Sequence, residues 1–379
     1  MFKIYSQGVK TNRDEWVCDY SQEALLSKTE HLINRYNEEA KRLRNTASRS
    51  NVADLVKYDI KWTRKLKNLL VAGEFLKLDQ NCARSSLYRP FVSLHTYFAW
   101  ELNEDWYQLA QLFPHDVMCN PWISFVEGQR LPFTVLAGQE LPNYAIFSLD
   151  PAQFLTLYRF DEDGTRIDNI TDWALKQFQQ HYQPGRASTG SARKAKAQPI
   201  TKEAIFHYVY AVLHDPLYRE KYAINLKREF PRIPFYPDFW QRADWGKALM
   251  DLHIGYESVE LWPLTRTDVL DDKARAAGQS PKAMLKADKD SGLIRLDSET
   301  TLAGIPPAAW DYRLGNRSAL EWILDQYKEK TPKDPTIRQK FNTYRFADHK
   351  KQVIDLLQRV TRVSVETMDI VARMKGAAR

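Results

Sequence analysis

Residues that staple or ligate are scarce in this chain. Its 379 residues include three cysteines. Cys18, Cys82 and Cys119 lie far apart and form no CxxC pair, so neither a disulfide framework nor a cysteine zinc module is indicated, and a cytoplasmic setting is expected. The eight histidines fall in no HExxH or similar ligand spacing, so no metal site is expected. No apolar run reaches about 18 residues, and the opening MFKIYSQGVK has no apolar h-region; membrane spanning and export are not expected. Phosphate loops are missing too. An ATPase core brings backbone amides to phosphate through GxxxxGK[ST], and the sequence has no such element.

The same holds for base-modifying chemistry. An adenine-type amino-methyltransferase needs a glycine-rich cofactor loop and an Asn/Asp-Pro-Pro-Tyr/Phe element that grips a flipped base. The nearest matches, Asn120-Pro121-Trp122 and Asp215-Pro216-Leu217, lack the second proline and read as turns. Pro237-Asp238 could open a metal-nuclease motif, but the acidic-x-Lys triplet it requires does not follow at a plausible place, and Asp238 reads as a helix N-cap.

What is present is a globular composition, 44% hydrophobic and 12% aromatic, with enough apolar material to fill a core. The net charge is +7. That favours a polyanionic partner, although 48 acidic residues confine any basic footprint to a local patch. A basic protein with no nucleic-acid role is equally compatible with charge alone.

Periodicity predicts an α+β protein, with short strands in a mixed N-terminal half and helices dominating the C-terminal half. After Ser21 as a cap, Leu25, Leu26, Ile33, Tyr36, Ala40 and Leu43 recur at helical spacing. A second helical stretch, Trp62 to Leu70, carries Lys61, Arg64, Lys65 and Lys67 on its polar side. Strand-like runs such as PWISFV and LPFTVLA fill Tyr88 to Tyr158. Gln183 to Ile200, with four basic residues and no acidic ones, reads as a flexible linker or insertion. Three parts are therefore expected: 1–182, 183–200 and 201–379. In the third, Asp238 starts a helix reaching past Met250, Gly292 to Ile305 reads as two short strands, and Lys351 to Met374 as a long helix.

The densest segment is ITKEAIFHYVYAVLHDPLYREKYAINLKREFPRIPF, Ile200 to Phe235. Thr201 caps one helix, and Asp215-Pro216 forms the N-cap and N1 pair of a second, expected to end near Phe230 because Pro231 cannot continue it. Arg219, Lys221, Lys227, Arg228 and Arg232 give that helix and its exit a positive flank. Together with FKIYSQGVKTNRDEWV (Phe2 to Val17), DIKWTRKLKNLL (Asp59 to Leu70), SSLYRPF (Ser85 to Phe91), YRLGNRSALEWILDQY (Tyr312 to Tyr327) and VTRVSVETM (Val360 to Met368), it resembles the C-terminal specificity domain of type ISP restriction-modification enzymes. The resemblance covers nearly the whole chain, in the family's order.

That resemblance implies a target recognition domain for double-stranded DNA, serving methyltransferase and helicase-nuclease domains of the same system in phage defence. It implies no catalytic residue or metal here; S-adenosylmethionine, ATP and magnesium would belong to those other domains. Sequence-specific binding needs donors to phosphates and planar side chains that read base edges. Lys10, Asn12 and Arg13 follow Gly8 in a donor-rich loop that can otherwise be a capped turn. Lys61 and Arg64 form a basic face that can also be plain solvated surface. Arg89 sits between Tyr88 and Pro90, suited to a bidentate contact or to bracing the fold. Asn316 and Arg317 precede a helix whose free amides would favour phosphate, unless Asn316 or Ser318 is merely the cap. Lys227 and Arg228 complete the set. A scaffold coupling methyltransferase and motor, and a stand-alone enzyme with an unrecognised site, stay open as alternatives.

Overall fold

The computed structural model describes residues 1–379 except 45, 115, 127–129, 149 and 183–197. The expected linker therefore lies almost entirely outside the described residues. At its far edge, Ile200 is buried. Helices and several small sheets together make an α+β fold.

Two four-stranded sheets organise the N-terminal half. One runs in the order Ser6–Gln7, Ala152–Thr156, Trp122–Val126, Val135–Gly138, all antiparallel. The second runs Cys18–Asp19, Val92–Tyr97, Ala83–Arg89, Leu141–Pro142, with its last pair parallel. The unbroken apolar run Trp122–Val126 reflects burial on both faces. Trp122 and Val126 enter one core and Ile123 another, as side chains alternating across a strand must.

The first core joins the two sheets to a third (Thr265–Asp268, Thr300–Ala303, Leu293–Asp297, Ala283–Asp288) and to the long helix Phe346–Lys375. A second lies between the other face of the first sheet and two crossing helices, Lys202–His214 and Phe239–Ile254. That crossing depends on Gly246, where a Cβ would lie 1.7 Å from the His207 carbonyl oxygen. A third core packs Gln22–Arg42 and Arg64–Val71 against the second sheet. All three take residues from both sides of 183–200.

Local start signals act as expected. Ser21, Thr201, Asp215 and Asp238 each accept a first-turn amide, and Pro216 occupies the first helical turn. One end differs. The helix after Asp215 covers only Pro216–Lys221, not the span to Phe230. The chain leaves the helix at Tyr222 and makes a short 3-10 turn over Asn225–Lys227, which buries Leu226; a hydrophobic anchor, and not Pro231, sets the stop. Asn120, expected in a turn, is fully buried and ties three backbone groups, those of Leu112 and Tyr158 through its amide nitrogen and the Tyr158 amide through its oxygen.

Candidate functional site

Gly8 brings the N-terminal strand against the segment after Leu141–Pro142, where a Cβ would lie 2.6 Å from the Pro142 carbonyl oxygen. Val9 donates to that carbonyl and accepts from Tyr144 N–H. The approach serves packing, and it sets the loop that follows on an edge shared with the helix Arg64–Val71.

There the basic residues converge. Lys10 Nζ lies 2.7 Å from Asp105 Oδ2 and 5.1 Å from the centre of the Tyr144 ring. The hydrogen bond to Asp105 holds the Lys10 ammonium above its usual range, and the bond from Lys10 holds the Asp105 carboxyl below its own. Arg64 shares Asp105, at 3.1 Å, and lies 3.3 Å from Glu104. Lys65 lies 3.7 Å above the Trp100 ring, and burial lowers its ammonium to about 8.

Arg13 is buried, with burial pulling its guanidinium down to about 10. One nitrogen donates to Thr63, while Nε and Nη1 have no hydrogen-bond partner among the described residues. Asn12 adopts a left-handed conformation (φ 55°), which asparagine tolerates better than most residues. Asn12, Arg13 and Lys61 line one cavity of about 420 Å³ with Lys333 and three carboxylates. Those carboxylates are already engaged: Asp14 accepts from Thr11 and Tyr88, Glu15 from the Lys333 and Asp334 amides, and Asp334 from Trp16 Nε1 and its own helix start. Lys61 is exposed and makes no side-chain bond among the described residues, so its ammonium faces solvent.

Arg89 flanks this group. Its guanidinium lies 4.0 Å from the centre of the Tyr88 ring, and Nη1 donates to the Tyr88 carbonyl and to Asn143 Oδ1. Tyr88 reaches Asp14 and Asn143 neighbours Tyr144, so Lys10, Asn12, Arg13, Lys61, Arg64 and Arg89 form one connected neighbourhood.

The other four lie on different elements. Lys227 and Arg228 are exposed at the 3-10 turn. Asn316 and Arg317 belong to the hairpin Arg313–Leu314 with Arg317–Ser318, whose turn is Gly315-Asn316. Arg317 is paired with Asp325 at 3.2 Å and lies over Trp322. The helix start beside it is closed by a capping box: Ser318 Oγ accepts from Glu321 N–H, and the Glu321 carboxylate from Ser318 N–H. Ser318 is the cap, and the Ser318, Ala319 and Glu321 amides at that end already have acceptors, which weakens the reason to place a phosphate there.

Sequence reasoning did not single out Asp105, Glu104, Tyr107 or Tyr144. Their roles depend on pairing over distance, such as the isolated bridge of Lys10 with Asp105, for which a linear pattern carries no signal. Among the described residues there is no cluster of metal-ligating side chains and no helix long and apolar enough to cross a membrane.

Residues 1–356 match the type ISP C-terminal specificity domain family. No curated protein matches the chain. Among solved structures, a cryo-EM structure of a DrdV–DNA complex superposes with a TM-score of 0.90 at 48% identity, covering 100% of this chain and 36% of that one. A nuclease-deletion mutant of the type ISP restriction-modification enzyme LlaGI, in complex with a DNA substrate mimic, gives 0.80 at 28% identity, covering 99% and 33%. The ATP-dependent type ISP enzyme LlaBIII bound to DNA gives 0.79 at 24% identity, covering 99% and 23%, and shows the shared fold. This chain thus spans about a third or less of the proteins it matches.

Proposed function

Since the chain belongs to the type ISP C-terminal specificity domain family, we propose that it recognises a short sequence in duplex DNA and presents it to an adenine-N6 methyltransferase whose motifs this sequence does not contain. Nuclease, ATPase and methyl-transfer chemistry, with magnesium, ATP and S-adenosylmethionine, then belong to other domains of the same cytoplasmic system. The likeness to DrdV, a protein solved with DNA, supports this reading.

The observation that carries it is the gathering of Lys10, Asn12, Arg13, Lys61 and Arg64 from two separated segments onto one edge, with Arg89 beside them. Asp105 and Glu104 pair with Lys10 and Arg64 themselves, and Asp14, Glu15 and Asp334 face the cavity's cations, which leaves the exposed Lys61 as a cation with no side-chain partner among the described residues. In this reading Lys61 and the Lys10–Arg64 pair set register on phosphates, and Arg89, pre-oriented on Tyr88, reads a base edge. Lys227 and Arg228 add phosphate contacts.

Titration of the 379-residue chain with duplexes carrying the cognate site of its system tests this. Affinity should fall linearly on a log–log plot against salt, with a slope set by the phosphates neutralised. Absence of binding even at low salt would sink the proposal and leave the coupling scaffold as the better account.

A further inference from the structure

Arg219 is a cation that the fold partly buries without giving it a counter-ion. It lies in the helix Pro216–Lys221, and its Nε donates to the Leu213 carbonyl at 2.6 Å. The guanidinium also lies 5.7 Å from the centre of the Phe133 ring. These two contacts fix its plane. Burial lowers the guanidinium to about 10, and the carboxylate that acts on it, Asp215, is already bonded to Arg242 and Arg379. Nη1 and Nη2 make no hydrogen bond among the described residues, and neither is among the unbonded atoms shut off from solvent. A guanidinium drawn out of water in this way is stabilised by an anion that takes its open edge.

The space for one is there. Arg219 lines a cavity of about 250 Å³ with Phe133, Thr134, Arg313, Met368 and Val371. Thr134 Oγ1 accepts from Gly315 N–H at 2.9 Å, which ties the hairpin of Arg313–Leu314 with Arg317–Ser318 to the segment that carries Phe133. Arg313 is exposed, and its Nη2 donates to the Asn316 carbonyl. His214, also in the lining, is kept neutral by burial. Asp311, the one carboxylate in the described lining, is exposed and pairs with neither arginine. Two cations against one carboxylate leave the cavity a positive balance.

The chain after this helix decides between anions. It continues to Lys227 and Arg228, both exposed and without a side-chain partner among the described residues. A carboxylate on a protein surface needs one guanidinium, whereas cations in series suit an anion that repeats. The apolar atoms of Phe133, Met368 and Val371 suit the sugar carbons on either side of a phosphate.

We infer that Arg219 and Arg313 form a phosphate site for the duplex backbone, Arg219 presenting its open edge to the non-bridging oxygens and Arg313 meeting them from the hairpin. The hairpin then contacts DNA through this cavity and not through the capped helix start at Ser318. The inference rests on the DNA-recognition reading above and adds an anchor that sets register without reading a base.

The test compares the full chain with Arg219→Gln and Arg313→Gln on a duplex carrying the cognate site of its system. A glutamine amide nitrogen stands as many bonds from Cα as arginine Nε, so Arg219→Gln can keep the bond to Leu213 and its thermal midpoint should hold. Expected for each variant is an affinity about 10-fold lower on cognate and scrambled duplexes alike, and a salt slope smaller by about one. Replacing backbone phosphates one at a time by neutral methylphosphonates should reveal a position that weakens the parent chain and leaves Arg219→Gln indifferent. If the parent binds and both variants match its affinity and slope, the cavity holds no phosphate. A loss confined to the cognate sequence, or a scan in which every position that weakens the parent weakens Arg219→Gln as much, also overturns the assignment. If the parent binds no duplex even at low salt, the DNA-recognition reading itself fails, and this inference with it.

Discussion

Charge at a single position has different consequences depending on what neutralises it. Lys61 is exposed and unpaired among the described residues, whereas Arg89 is held by the Tyr88 ring, the Tyr88 carbonyl and Asn143. A free ammonium contributes to any duplex alike; a guanidinium fixed in one plane can discriminate. Lys61→Ala should therefore weaken all sequences equally and reduce the salt slope by about one phosphate contact. Arg89→Lys keeps the charge and loses the fork, so it should relax preference at one base position by about 1 to 3 kcal/mol. Binding curves on cognate and scrambled duplexes at three salt concentrations separate the two. Equal, sequence-independent losses at both positions would make Arg89 a brace of the fold.

At the scale of elements, packing is least forgiving where helices cross. The Gly246 position leaves no room above the His207 carbonyl, so Gly246→Ala must push Lys202–His214 and Phe239–Ile254 apart. Overpacking of this kind costs about 1 to 3 kcal/mol or more, which chemical denaturation should register as a lower midpoint with the same slope. An unchanged midpoint would mean that the crossing can relax. Helix starts were legible in the sequence because a cap is a local event: the side chain of Ser21, Thr201, Asp215 or Asp238 meets an amide two or three residues away. Likewise the two strands in Gly292 to Ile305, observed as Leu293–Asp297 and Thr300–Ala303, follow from alternation. The stop at Lys221 was not legible, because it depends on where Leu226 finds its core. The candidate site divides the same way. Its cations could be named from composition, but the Lys10–Asp105 bridge arises from pairing between segments about a hundred residues apart.

The whole molecule is held together partly by buried polar groups that join its cores, and they set a pH limit. His253 donates or accepts at Tyr210 (2.5 Å) and Thr367 (2.9 Å), linking the helices Phe239–Ile254, Lys202–His214 and Phe346–Lys375. Its other neighbours are His214, Phe91 and the stacked Tyr312 ring, none of them anionic. Burial pulls the His253 imidazole down to about 3 and holds His214 well below the ordinary value of 6.5. Below pH 6.5 the unfolded chain takes up protons at both positions and the folded chain does not. Stability is thus complete above pH 6.5 and lost as pH falls, by about 1.4 kcal/mol per pH unit for each histidine. Asp215, fully buried, extends the loss to lower pH. Burial works against its charge, but Arg379 and Arg242 at 2.7 and 2.9 Å hold it below the usual carboxylate range, so its contribution disappears only in acid stronger than that range. Urea midpoints measured from pH 8 to pH 5 should be level down to about pH 7 and then fall. His253→Gln, which can still bond Tyr210 and Thr367 but does not titrate, should fall less steeply than the parent chain. A parent midpoint that stayed level to pH 5 would show that these imidazoles are hydrated and chargeable, and that the junction between the cores is open to water.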